Sequence, residues 1–152
     1  MEEWKLERGA ETVIRKWIRL KKEERLCIVT SGQHYMEALL LEAAARKAGA
    51  AVSLMFVEQE GIHVGDYFDE NPNIFIPYDV IVGASDYSIL TTKAAERAME
   101  KSKRLLSMPL ATTIGESMLG FEFMTADPDR VYERGMQVLK SIPLARKSRE
   151  YS

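Results

Sequence analysis

The chain has 152 residues, of which 46% are hydrophobic and 29% charged, and its 21 basic and 23 acidic side chains leave a net charge of -2. That length holds one domain with one core, and the near-neutral balance gives no global electrostatic case for a nucleic acid or an anionic membrane as partner. The longest apolar runs fall far short of a bilayer span, and Met1 to Arg8 is too polar for a signal peptide, so a cytoplasmic location is the default expectation.

Residues 7 to 21 read as an amphipathic helix, because Ala10, Val13, Ile14, Trp17 and Ile18 recur at the three- and four-residue spacing of one face. Arg15, Lys16, Arg19, Lys21 and Lys22 fall on the other side or at the C-terminal end, the pattern of a solvated face. Leu26-Cys27-Ile28-Val29 is a continuous apolar run, as in a parallel strand buried on both faces. Thr30 to Gln33 then turns the chain into a helix over 35–48, with Met36, Leu39, Leu40, Ala43 and Ala44 on one face and Gly49 as its stop. Val52 to Val57 is the second strand and completes a βαβ unit.

Glu58 to Tyr78 lacks clear periodicity and carries Glu58, Glu60, Asp66, Asp69 and Glu70; connections of this length are often lids or binding loops, and this one has room for a short helix. Val80-Ile81-Val82 is the third strand. Thr91 or Thr92 caps a helix to about Lys103, with Ala94, Ala95, Ala98 and Met99 as its small face. Leu105-Leu106 begins a fourth strand closed by Met108-Pro109. Leu110 to Met124 is apolar and fits no pattern. Asp127 and Pro128 open a last helix that Pro143 ends. The alternation predicts a single α/β domain over 1–152, three-layered and Rossmann-like, with a mostly parallel sheet of four to five strands.

Ligands of such sheets sit off the carboxyl ends of the strands. Two turns qualify there. Ser31 and Gly32 form one; Gly83, Ser85, Ser88 and Thr91 form the other. Each sets hydroxyls and a glycine beside a helix start, where free N–H groups suit a small phosphate or carboxylate. Neither is a dinucleotide fingerprint or a P-loop. His63 with Asp66, Asp69 and Glu70 offers nitrogen and oxygen ligands to a divalent metal, at a spacing that matches no standard motif. Ser31 with His34 suggests a nucleophile and its base, but three residues apart across a turn is a poor geometry for that pair and no orienting acid is evident. Cys27 falls mid-strand and should be buried and inert; as the single cysteine it excludes an intrachain disulfide and a multi-cysteine metal site. Met108, Met118, Leu119 and Phe121 belong to an apolar stretch that is either core or a surface for a partner.

Taken together, Glu7-Arg8-Gly9-Ala10, Leu26 to Thr30, Gly49 to Val57, Tyr78 to Val82, Ser88 to Thr92, Ser107-Met108-Pro109 and the Asp127 helix resemble the N-terminal half of the aminopeptidase T-type metallo-exopeptidases, with their leucyl aminopeptidase-like relatives. The resemblance spans residues 7 to 142. It departs where the family shows Ser-Leu-Thr-His-Thr and then Ala-Arg-Lys, for here stand Ser88-Ile89-Leu90-Thr91-Thr92 and Ala94-Ala95-Glu96; the family's glycine after Met-Pro is Leu110. It implies that the metal ligands come from a C-terminal catalytic domain outside these residues. No catalytic residue and no metal or other cofactor is therefore expected in this chain. The expectation is a non-catalytic domain that forms a homo-oligomer or packs on a catalytic domain or subunit. A module for a small anionic metabolite at the strand-end turns is the alternative.

Overall fold

The structure, a computed structural model, describes residues 3–58, 64–85, 88–109 and 117–120. Helix α1 (Glu3–Thr12) leads into strand β1 (Arg25–Thr30), helix α2 (Tyr35–Lys47), strand β2 (Ala51–Phe56), helix α3 (Val64–Glu70), strand β3 (Val80–Ser85), helix α4 (Lys93–Glu100) and strand β4 (Arg104–Pro109). The four strands form one parallel sheet in the order β2-β1-β3-β4. The last predicted helix, from Asp127, lies outside the described residues.

Alternation along the strands builds both layers. Leu26 and Ile28 of β1, with Val80 and Val82 of β3, point to the face covered by α1 and α2. Cys27, Val29 and Ile81 point to the opposite face, where Phe68 of α3 and Ala94 and Ala98 of α4 cover them. Helices on both faces make this the three-layer, Rossmann-like arrangement expected of parallel strands. Among the described residues, no helix is long and apolar enough to cross a membrane.

The first helix differs from its predicted span. It begins at Glu3, and from Val13 to Trp17 it widens into a π turn closed by the Ile18 N–H on the Val13 carbonyl at 2.9 Å. Just before the change, the Thr12 hydroxyl donates back to the Arg8 carbonyl at 2.9 Å, a competing bond of the kind that bends helices. Gly9 faces the backbone of Leu119 so closely that a Cβ there would stand 1.9 Å from the Leu119 carbonyl oxygen. Gly49 takes φ +89° and closes α2, its N–H bonding the Arg46 carbonyl at 3.0 Å. Strand β3 runs three residues past its predicted end, because Gly83, Ala84 and Ser85 keep pairing with Ser107, Met108 and Pro109. Helix α4 stops at Glu100, short of Lys103, since Ser102 turns to φ +59°.

Candidate functional site

The sheet changes winding direction between β1 and β3: one crossover leaves β1 toward β2, the other leaves β3 toward β4. Their carboxyl ends flank the crevice where such folds bind ligands. Thr30 pairs with Ala84, so Ser31, just past the end of β1, follows level with Ser85, the last residue of β3. Both are 1% exposed. Among the described residues the Ser31 hydroxyl oxygen has no hydrogen-bond partner. Beyond it, Gly32–His34 form a 3-10 turn that feeds α2, and its first N–H groups have no carbonyl of the helix to bond.

His34 is 8% exposed, and its Nδ1 lies 3.0 Å from Oε1 of Glu37 in the first turn of α2. Oε2 of Glu37 is buried without a partner. Glu37 is therefore the acid beside His34 that sequence reasoning missed; a His–Glu pair three apart at a helix start was the available signal. Ser31 Oγ makes no hydrogen bond to His34, so the three side chains are not assembled as a nucleophile, base and orienting acid.

The second predicted turn divides. Gly83 is not in a turn but inside β3, where Ile89 Cγ1 would meet an added Cβ at 3.1 Å; the strand continues through it because both faces are covered. Ser88 is exposed, and its Oγ accepts the Leu90 N–H at 3.2 Å. Thr91 is exposed and caps nothing. The cap of α4 is Thr92, whose Oγ1 accepts the Ala95 N–H at 3.2 Å and donates to the Ile89 carbonyl at 2.7 Å. Thus the geometry brings Ser31, Gly32 and Ser85 together, and leaves Gly83, Ser88 and Thr91 in ordinary structural roles.

Met108 is 3% exposed and Leu119 1%, and both belong to the core on the α1 and α2 side. The predicted interface loses them, because α1 covers Leu119 through the close approach at Gly9. Phe121 and the side chain of Met118 lie outside the described residues, as does His63. Asp69, one of the acidic residues weighed as metal ligands, accepts the Lys93 N–H at 3.0 Å and so helps start α4. Among the described residues, no group of three or more His, Cys, Asp and Glu side chains stands ready to hold a metal. Cys27 is fully buried, and burial pushes its thiol up to about 12.

A cleft of about 440 Å³ lies at the other end of the sheet, lined among others by Glu24, Asp79, Lys101, Lys103 and Arg104. Two of its carboxylates, Asp79 and Glu24, are committed. Asp79 accepts the Arg25 N–H at 2.8 Å, and that bond together with the Arg25 guanidinium holds its carboxyl below the usual range. Arg104 clasps both oxygens of Glu24, at 3.0 and 2.6 Å, and lowers that carboxyl likewise.

No family model matches the chain, and no curated protein matches it. Among solved structures it is similar to wild-type AmpT from Thermus thermophilus, with a TM-score of 0.48 and 14% identity over 70% of this chain. The chain spans 36% of that neighbour's length.

Proposed function

We propose that this chain is a non-catalytic α/β domain of the aminopeptidase T-like kind, and that it packs against a catalytic domain through the carboxyl-end surface of its sheet. One observation carries the reading. Tyr35, Met36 and Phe56 are 44%, 69% and 54% exposed and sit together at that end, the rings of Tyr35 and Phe56 meeting edge to face at 6.3 Å. Grouped exposed apolar side chains mark contact surfaces more often than isolated ones do. The order of the sequence segments over residues 7 to 142 supports the family side of the reading. The packing surface moves here from the 108–124 stretch, whose described apolar side chains are core.

The test starts from the source DNA read past the codon for Ser152. An in-frame continuation carrying Glu, His and Asp ligands supports the reading, and the amides of Tyr35, Met36 and Phe56 then exchange more slowly in the longer product than in residues 1–152 alone. Equal exchange rates in the two products overturn the packing surface. A stop codon there, together with a chain that light scattering finds monomeric, overturns the reading.

A further inference from the structure

A smaller cleft, of about 240 Å³, opens at the carboxyl end of β2, lined by Phe56, Val57, Glu58 and Tyr67. Its rings are held in place. Tyr67 meets Phe68 edge to face at 5.2 Å, and Phe68 is itself buried and stacked on Phe75 at 5.2 Å. Phe56 rests edge-on against Tyr35, with its ring tip 3.8 Å from where a side chain at Gly32 would begin. Two braced aromatic rings and one carboxylate therefore share one small space.

Among its described lining residues one side chain carries charge, the carboxylate of Glu58. Between Lys47 and Lys93 the sequence contains no lysine or arginine. The carboxylates of the elements that meet here are Glu37 at the start of α2, Glu58 after β2, and Asp66, Asp69 and Glu70 on α3. Glu37 has His34 at 3.0 Å and Asp69 has the Lys93 N–H, whereas Glu58 has no basic side chain beside it among the described residues. Aromatic rings attract a cation through their negative faces, and a nearby carboxylate adds a counter-charge. The volume lies below that of a typical whole-ligand pocket and suits a single head group.

We propose that this cleft binds an organic ammonium group, primary or quaternary, with Glu58 as its counter-ion and the rings of Phe56 and Tyr67 as its walls. Nothing in this depends on the packing surface above. The two share Phe56 and are separated by Met36, which does not line the cleft, and by Glu58 and Tyr67, which do.

The experiment titrates the isotope-labelled chain with choline and, separately, with its uncharged isostere in which carbon replaces the nitrogen, at constant ionic strength. Choline moves the Phe56, Glu58 and Tyr67 signals saturably in the millimolar range. The isostere binds at least about twofold more weakly, the size of an exposed cation–aromatic contact. E58Q, an exposed change that leaves the core untouched, weakens choline about two- to fivefold, and F56L does the same. Equal binding of choline and isostere, unchanged binding by both variants, saturable shifts confined to other residues, or no saturable shift in the millimolar range would each overturn the proposal. A Met36→Glu variant that loses partner packing and keeps choline binding separates this site from the packing surface.

Discussion

Replacing Gly9 with alanine sets two effects of opposite sign against each other. Alanine in a helix interior is favoured over glycine by about 1 kcal/mol. Here, however, the new Cβ lands 1.9 Å from the Leu119 carbonyl oxygen and 2.7 Å from its carbon, and contacts under 3.0 Å force a shift. The obstacle is backbone, so no rotamer change relieves it. Helix α1 and the Met118–Gly120 turn have to part by about an ångström, which costs roughly 1–3 kcal/mol as overpacking. Parting them also returns some of the Leu119 side chain to water, and full exposure of a leucine is worth about 1.5–3 kcal/mol. The steric side wins, for a net loss of about 2 kcal/mol. With a slope near 2 kcal/mol/M, the urea midpoint followed by circular dichroism drops by about 1 M at unchanged slope. Gly65→Ala is the control, since among the described residues its Cβ meets the Thr92 methyl at an ordinary 3.7 Å; it should hold the midpoint or raise stability by up to about 0.5–1 kcal/mol. A Gly9→Ala midpoint equal to or above that of the wild type would refute the reasoning, and would free the 117–120 segment to be the partner surface the sequence suggested.

Thr92→Ala removes a buried cap that both accepts from Ala95 and donates to Ile89, so thermal denaturation should show a loss of about 1–2 kcal/mol, while Thr92→Ser keeps most of it. Asp79 and Glu24 have folded-state values depressed below the ordinary 3.8 and 4.5, so their contribution is whole above those values and fades as pH falls through the depressed ones. Urea midpoints should therefore drop on acidification below about pH 4.5, and less so in Asp79→Asn, which has no charge left to lose. The Cys27 thiol, raised to about 12 by burial, should resist a disulfide reagent in the native chain and react as fast as the chain unfolds; rapid labelling without denaturant would contradict its placement in β1.

The fold was legible wherever a pattern repeats. The four-residue apolar run from Leu26 could only be a strand covered on both sides, and Leu26 and Cys27 do face opposite layers. Gly49 marked the end of α2 because the αL position after a helix favours glycine. What failed was the end of β3. A glycine followed by alanine and serine reads as turn chemistry, yet Gly83 is a strand residue whose lack of a side chain makes room for Ile89. That contact joins residues six apart around a loop, and local spacing does not contain it. Glu37 was different: its place three residues after His34 was open to local reading, and only the burial of Ser31 and His34 beside it was not. The Met- and Leu-rich stretch after Ser107 left core and partner surface equally open, since composition gives apolarity and not address; the address of Leu119 comes from Gly9, more than a hundred positions earlier.

Volume alone would favour the amino end of this sheet over the carboxyl end. The larger cleft, at the amino ends, is where the strand starts are tied together: the Asp79 N–H bonds the Arg25 carbonyl at 2.9 Å, the Arg104 N–H bonds the Asp79 carbonyl at 3.2 Å, and the side chains of the same residues close the ion pairs above them. A ligand that took Asp79 or Glu24 there would displace charge-assisted bonds already made, so its binding energy would be reduced by what it breaks. The carboxyl ends offer the opposite condition. Ser31 and Glu37 keep unmet polar atoms, Phe56 and Met36 stay in water, and Glu58 has no basic neighbour among the described residues. A partner that met those groups would gain what their lack of one costs the isolated domain. The groups described at the carboxyl ends, more than any single residue, are the ground on which the partner surface and the ammonium site are both proposed at that end of the sheet.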